Sequence, residues 1–155
     1  MTSDAEVYQS DRTAMPAAGL GEQSRLHVTS DQSDLAEARR ITAEHLRHRC
    51  EWADSGAVQL VVSELLSNAV IHGGGWWSLV VSASSRQLVI EVEDRETVTP
   101  SIRMANSDGT AGGMGMHIVS KLVTRFEAVV HPSGTGKTVR ALWNRPGLSG
   151  SRRTM

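Results

Sequence analysis

The chain has 155 residues, of which 39% are apolar, and a formal net charge of −1. This length allows one domain with tails, and the near-neutral charge argues against a sequence-wide basic surface for nucleic acid or anionic lipid. The one cysteine, Cys50, cannot form an internal disulfide. There is no apolar run of the roughly 20 residues that span a bilayer, and residues 1–16 do not resemble a signal peptide. We therefore expect a soluble, cytoplasmic protein that contacts neither nucleic acid nor membrane directly.

The two ends of the chain differ in composition from its middle. Residues 1–24 are rich in Ser, Asp, Ala, Gly and Gln and show no hydrophobic period. Residues 146–155 form a second run of this kind, with Gly, Ser and Arg. Such segments at chain ends are typically flexible. We predict a flexible arm over 1–24, a folded domain over 25–145 and a flexible tail over 146–155.

The first half of the domain carries the patterns of two helices. Asp34 followed three residues later by Glu37 resembles a capping box, and apolar residues then recur at helical spacing. In the second helix, apolar residues from Val58 to Val70 follow the spacing of one buried helix face. The glycines at 73–75 are predicted to end this helix.

After residue 76 the hydrophobic period changes to two. Alternation over 77–84 and again over 88–94 predicts a β-hairpin with one buried face. Residues 95–113 have no period and are predicted to form a long loop, which in compact domains is often a lid. A short helix around residues 118–123 and two strands complete the domain.

The predicted order is strand, two helices, two strands, loop, helix and two strands, with the first strand at Leu26–Val28 and the last two at Phe126–Val130 and Val139–Trp143. Short turns between consecutive strands favour antiparallel pairing. Three helices on one face of such a sheet make a two-layer α+β sandwich.

Polar residues interrupt this pattern on the second helix and at the end of the hairpin. Glu64, Asn68 and His72 are spaced to form one row beside the apolar stripe, either a solvated edge or the lining of a crevice. Asp94 is two residues after Val92, so alternation places its side chain on the same, core-facing side of the strand. A buried carboxylate needs a partner. The candidates are a salt bridge to a neighbouring arginine (Arg95 or Arg103), a strand-end cap and a ligand donor.

Two glycine-rich runs resemble phosphate sites. Residues 112–116 open the third helix, where backbone N–H groups either bind phosphate or simply form a hinge. Residues 134–138 resemble half of a P-loop, but the first glycine of that motif would fall on His131 and a strand follows. We therefore reject a P-loop.

Taken together, these motifs resemble the GHKL superfamily of ATP-binding domains. Glu64–Gly73 resembles its N box, Asp94 stands at the G1-box aspartate, Gly113–Met116 resembles the G2 box and Gly136–Val139 resembles the final Gly/Thr motif. With the preceding helices the resemblance covers residues 26–143. It implies the histidine-kinase-like ATPase fold. A stand-alone domain of this size is similar to the small bacterial anti-sigma factor serine/threonine kinases.

The resemblance also implies ATP and Mg²⁺ as cofactors. Asn68 would help to hold Mg²⁺ through the phosphates, since a hard cation prefers oxygen ligands. Glu64 would act as general base or orient the nucleophile for phosphoryl transfer. His72 completes the N box at the nucleotide.

At the other parts of the nucleotide, the resemblance implies that Asp94 accepts a hydrogen bond from the adenine amino group. Gly113 and Gly115 would present backbone N–H groups to the phosphates, and Met116 belongs to the same ATP-binding box. Thr138 would lie near the adenine.

Two details depart from the superfamily pattern. Residues 95–100, directly after Asp94, contain no glycine where the G1 box has glycines, so side chains are expected to crowd the adenine edge. Thr138 alternates with Val139, which places it on the face opposite the core. Its role at the adenine therefore requires a local bend, and Gly136 is the residue that would supply it.

The function that this resemblance implies is Mg-ATP-dependent phosphorylation of a Ser or Thr on a small antagonist protein, combined with sequestration of a sigma factor. One alternative is a non-catalytic partner-switching module that binds nucleotide. Another is a stand-alone histidine-kinase-type ATPase domain. Glu64 favours an enzyme, and small regulators of this kind often form homodimers.

Overall fold

A computed structural model of the protein describes residues 23–97 and 111–147, with only the backbone for 111–115. Its elements in chain order are β1 Ser24–Thr29, α1 Leu35–Arg47, α2 Ser55–His72, β2 Ser78–Ala83, β3 Gln87–Asp94, α3 Ala111–Leu122, β4 Arg125–Val130 and β5 Lys137–Asn144. The predicted order of elements is confirmed. The predicted arm up to residue 22, residues 98–110 of the predicted loop and the tail from residue 148 lie outside the described residues.

The five strands form one sheet in the order β1-β2-β3-β5-β4, and every neighbouring pair is antiparallel. The α+β sandwich predicted from the sequence is therefore confirmed. Because β4 and β5 form a hairpin in which the later strand lies inside, β5 pairs along its whole length with β3. This pairing brings the end of β3 beside the start of β5.

Side-chain caps start the first two helices. The carboxylate of Asp34 accepts from the Glu37 backbone N–H at 2.8 Å, and that of Asp54 accepts from the Ala57 N–H at 3.2 Å. Only half of the predicted capping box forms, because the Glu37 side chain is bonded to Arg40 instead. Each cap satisfies a backbone donor that has no partner within the helix.

The core lies between the sheet and the helices. α2 is the central helix and contacts α1, α3 and β3. Its side chains Val61, Val62 and Leu66 have no exposed surface, and neither do Leu79 and Ile90 of the sheet. Full burial of one such side chain stabilises the fold by about 1.5–3 kcal/mol. This core fixes the position of α2 against the sheet, and with it the polar row that α2 carries.

The sheet differs from the prediction of a hairpin with one buried face, because β2 is buried along its whole length. Its outward residues Ser78, Val80 and Ser82 are small. They lie between the longer side chains of the flanking strands, and the His27 Nε2 atom is 2.8 Å from Ser78 Oγ. On the same face, Arg140 links acidic side chains of β3 and β4.

Two element boundaries also differ from the prediction. α3 begins at Ala111, so Gly113 belongs to the helix and not to the preceding loop. β5 begins at Lys137, two residues before the predicted start. The extension adds a Lys137–Asp94 pair to the register between β5 and β3. Among the helices that the structure describes, none is long and apolar enough to cross a membrane.

Candidate functional site

The polar row of α2 lies where the helix pattern places it, beside the buried stripe. Glu64 and Asn68 are half-buried, while His72 at the helix end is exposed. Ser63, on the other shoulder of the stripe, accepts a hydrogen bond from Arg39 of α1 at 3.3 Å. α1 packs on that shoulder, so the row of Glu64 and Asn68 lies on the shoulder of α2 away from α1; α3 also contacts α2.

None of the three side chains in the row is bonded to another described side chain. Within residues 23–97 and 111–147, the side chains of Glu64, Asn68 and His72 make no hydrogen bond and no ion pair. A half-buried carboxylate and an amide at helical spacing are therefore both free to interact with a ligand.

Asp94 is only 4% exposed and has a partner that the sequence analysis missed. Lys137 Nζ donates to both carboxylate oxygens, at 3.0 Å to Oδ1 and 2.9 Å to Oδ2. The Glu96 backbone N–H also donates to Oδ1 at 3.0 Å. Of the two arginines proposed as partners, Arg95 instead stacks its guanidinium 4.4 Å from the ring centroid of Trp76. Arg103 lies outside the described residues.

The signal that identifies Lys137 was present in the sequence. Lys137 shares the parity of Val139 and Ala141, both of which are buried on the core face. A lysine on that face must pair, because an ammonium is almost never buried alone. Because the last strand was predicted to begin at Val139, Lys137 fell outside the alternation that would have placed it on the core face.

Asp94 lies directly against the end of α2. A Cβ atom at Gly73 would be 2.5 Å from Asp94 Oδ2, and the Arg95 N–H donates to the Gly73 carbonyl at 3.1 Å. This contact places the carboxylate against the cap residue that follows the last helical residue, His72. The C-terminal end of a helix carries partial negative charge, so the Lys137 ammonium also balances an unfavourable approach of two negative groups.

Thr138 is not brought to Asp94. It pairs in register with Glu93 on the outer face of the sheet, and its Oγ1 is 2.8 Å from His131 Nε2. The missing side chain of Gly136 permits a close backbone contact, since a Cβ there would overlap the Asp94 carbonyl oxygen.

The glycine-rich motif lies in the first half of α3. Gly113 is in the first turn, where backbone N–H groups have no acceptor within the helix, and Gly115 lies beyond that turn. This is the arrangement that binds phosphate at a helix start. Met116 is 1% exposed and its side chain packs in the core.

The side chains of the polar row on α2 suit a metal ion that is held mainly by the phosphates of a ligand. In the described part of the chain, no group of three or more His, Cys, Asp or Glu residues is arranged to hold a metal ion. The Asn68 amide oxygen is instead a single hard donor next to the Glu64 carboxylate. Mg²⁺ is commonly bound in this way, by one or two protein oxygens together with phosphates and water.

A family model described as a histidine kinase-like ATPase domain matches residues 28–143 of the chain. The match includes every residue of the polar row, the Asp94–Lys137 pair and the glycine-rich start of α3. The comparison with curated proteins found no match.

Proposed function

Since the chain belongs to the histidine kinase-like ATPase domain family, we propose that it is an ATP-binding regulator of the anti-sigma factor type. In this proposal it is a Mg-ATP-dependent protein serine/threonine kinase that phosphorylates a small antagonist protein. It also sequesters a sigma factor, acts in the cytoplasm and pairs as a homodimer.

One observation carries the proposal: within the described residues, the half-buried side chains of Glu64 and Asn68 form a row on α2 without a hydrogen-bond or ion-pair partner. A carboxylate engaged in an ion pair is a poor proton acceptor, whereas the Glu64 carboxylate has no such partner among the described residues. The glycine-rich start of α3, a helix that contacts α2, supports a phosphate site.

The proposed reaction is transfer of the γ-phosphoryl group of ATP to a hydroxyl of the partner. The hydroxyl oxygen forms a bond to the γ-phosphorus, the bond from this phosphorus to the bridging oxygen breaks, and ADP leaves with the electron pair. Glu64 accepts the hydroxyl proton, and Asn68 holds the metal–phosphate unit through its amide oxygen. Bound Mg²⁺ supplies neutralisation of the phosphate charge.

A second candidate is a non-catalytic module that inhibits by docking and holds nucleotide only part of the time. The Asp94–Lys137 pair favours it, because both charged groups are satisfied without any ligand. A protein whose empty site is already satisfied needs no nucleotide to stay folded. The remaining candidate, an ATPase domain that passes phosphate to a histidine of a partner, rests on the family alone.

The test combines calorimetry with phosphotransfer. The full chain is titrated with Mg-ATP and with Mg-ADP, and partners recovered by affinity purification are incubated with radiolabelled ATP, with and without EDTA. Acid-stable phosphoserine or phosphothreonine on a partner supports the kinase, and acid-labile phosphate indicates a histidine acceptor. Nucleotide binding without any phosphorylated partner supports the docking module, and absence of nucleotide binding contradicts the proposal.

A further inference from the structure

Both side chains of the Asp94–Lys137 pair are buried. The side chains are 4% and 5% exposed, respectively, and the ammonium contacts both oxygens of the carboxylate. A third, longer contact of 3.5 Å joins Lys137 Nζ to the Glu96 carbonyl oxygen. The lysine is therefore held in place by several contacts, and its charged end is not available to solvent.

The pair uses most of the capacity of Asp94 to accept hydrogen bonds. A carboxylate has about four lone-pair sites. Oδ1 already accepts from Lys137 and from the Glu96 N–H, and Oδ2 accepts from Lys137. Oδ2, the oxygen with capacity left, also lies against Gly73, where even a Cβ atom would be only 2.5 Å away. A donor on a purine base must share this crowded oxygen or displace the lysine.

We infer that Lys137 is a positioning residue that competes with the nucleotide base for Asp94 and thereby limits nucleotide affinity. The inference rests on the proposed function, because it takes Asp94 as the acceptor for the base. It concerns Lys137, a residue of the Gly136–Val139 motif to which the resemblance assigns no role of its own.

The direction of the effect follows from comparing the empty and occupied sites. Without Lys137, Asp94 is buried and unpaired in the empty protein, whereas in the complex it still receives the amino group of the base. Removal of the lysine therefore raises the free energy of the empty protein more than that of the complex, and the base binds more tightly. If Lys137 instead donated to a ring nitrogen of the base, its removal would weaken binding.

The competition also explains how the protein tolerates an empty site. A base-binding carboxylate at the end of a helix would be unsatisfied without ligand, and this would destabilise the free protein. Lys137 removes that dependence. Nucleotide affinity is lower as a result, because a hydrogen bond from the amino group of the base adds little binding free energy when the acceptor is already satisfied.

The experiment measures binding of two nucleotides to the full-length chain and to Lys137→Met by isothermal titration. Methionine keeps the length of the side chain but has no charge and no donor. The nucleotides are Mg-ATP and the Mg complex of purine riboside 5′-triphosphate, which carries hydrogen in place of the amino group. Lys121→Met, which changes an exposed lysine in the last turn of α3, is the matched control for loss of one positive charge.

The unaltered protein is expected to bind the two nucleotides with affinities within about threefold, because the amino group gains little. Lys137→Met is expected to bind ATP about tenfold to a hundredfold more tightly, the range for one hydrogen bond to a charged group. Its affinity for purine riboside triphosphate should stay nearly unchanged. Lys121→Met should behave as the unaltered protein.

The inference is overturned if Lys137→Met binds ATP no more tightly than the unaltered protein. The comparison of the two nucleotides on the unaltered protein tests it even if the variant does not fold, because a preference for ATP of tenfold or more contradicts competition. If neither nucleotide binds any of the proteins, the proposed ATP-binding function fails, and this inference fails with it. Equal ATP binding by both proteins overturns the inference alone.

Discussion

A Cβ atom at Gly73 would lie 2.5 Å from Oδ2 of Asp94 and 2.7 Å from the Ala69 carbonyl oxygen. The end of α2 and the end of β3 therefore meet only because residue 73 has no side chain. Gly73 has φ −110°, which other residues also adopt, so an added methyl group is penalised by contact and not by backbone strain. We expect Gly73→Ala to lower the free energy of unfolding by about 1–3 kcal/mol, measured by urea denaturation.

Gly56→Ala is the matched control for this prediction. Gly56 lies in the first turn of the same helix and is exposed, and its nearest contact to an added Cβ would be an ordinary 3.4 Å to Asp54 Oδ1. Because alanine favours the helix, this variant should be neutral or more stable by up to about 1 kcal/mol. An equal loss of stability in both variants would contradict a specific role for the Gly73–Asp94 contact.

Much of this contact was predictable from alternation alone. The parity of β3 places Asp94 on the core face with Val92, and the glycines at 73–75 predict where α2 ends. Both are local patterns, since each depends on neighbours within a few residues. They determine the direction of a side chain but not which group from a distant segment it meets.

The partner of Asp94 was not predicted because it depends on register between distant strands. β3 and β5 are separated along the chain by a helix and another strand, and a one-residue change in register would turn Lys137 to the opposite face. The same register places Thr138 beside Glu93 on the outer face. Next to this pair, the missing side chain of Gly136 permits a tight backbone contact with Asp94, which a pattern within one strand does not reveal.

A buried carboxylate on the outer face of the sheet makes stability depend on pH. Burial raises the pKa of Glu91 above its ordinary value of 4.5, although its ion pair with Arg140 acts in the other direction. A carboxyl whose pKa is higher in the folded state holds its proton more strongly there, so folding becomes less favourable as pH rises past 4.5. We therefore expect the stability of Glu91→Gln to increase relative to that of the unaltered protein as the pH rises past 4.5. The free energy of unfolding is measured by urea denaturation from acid to neutral pH.

Glu37→Gln provides a control of opposite sign. The hydrogen bond from Arg40 lowers the pKa of Glu37 on the surface of α1. The unaltered protein should therefore gain stability relative to this variant as pH rises toward 4.5, and retain the gain above it. If stability changes with pH in the same direction for both variants, burial of Glu91 and the hydrogen bond to Glu37 do not set the pKa values of these carboxyls.

Cys50 is predicted to be unreactive while the protein is folded. It is 3% exposed beside a cavity of about 310 Å³ between the end of α1 and the start of α2, and burial raises the pKa of its thiol to about 11. At about pH 8 the reactive thiolate is then on the order of one part in a thousand. Alkylation by iodoacetamide, followed by mass spectrometry, should be at least about a hundredfold slower in buffer than in concentrated urea. Comparable rates would contradict burial of this thiol.

The last prediction separates chemistry from binding on the polar row of α2. Asn68 holds the metal–phosphate unit in the proposed function, so Asn68→Ala should weaken Mg-ATP binding and every later step. Glu64 acts on the attacking hydroxyl, so Glu64→Gln, which keeps the shape of the side chain, should leave ATP affinity nearly unchanged. Loss of a positioned general base should slow phosphorylation of the antagonist by about 10²–10⁴-fold, while sigma-factor binding persists because docking does not need the base. Both variants are measured by titration with Mg-ATP and by radiolabelled phosphotransfer. Phosphorylation by Glu64→Gln at the rate of the unaltered protein would remove Glu64 from the mechanism.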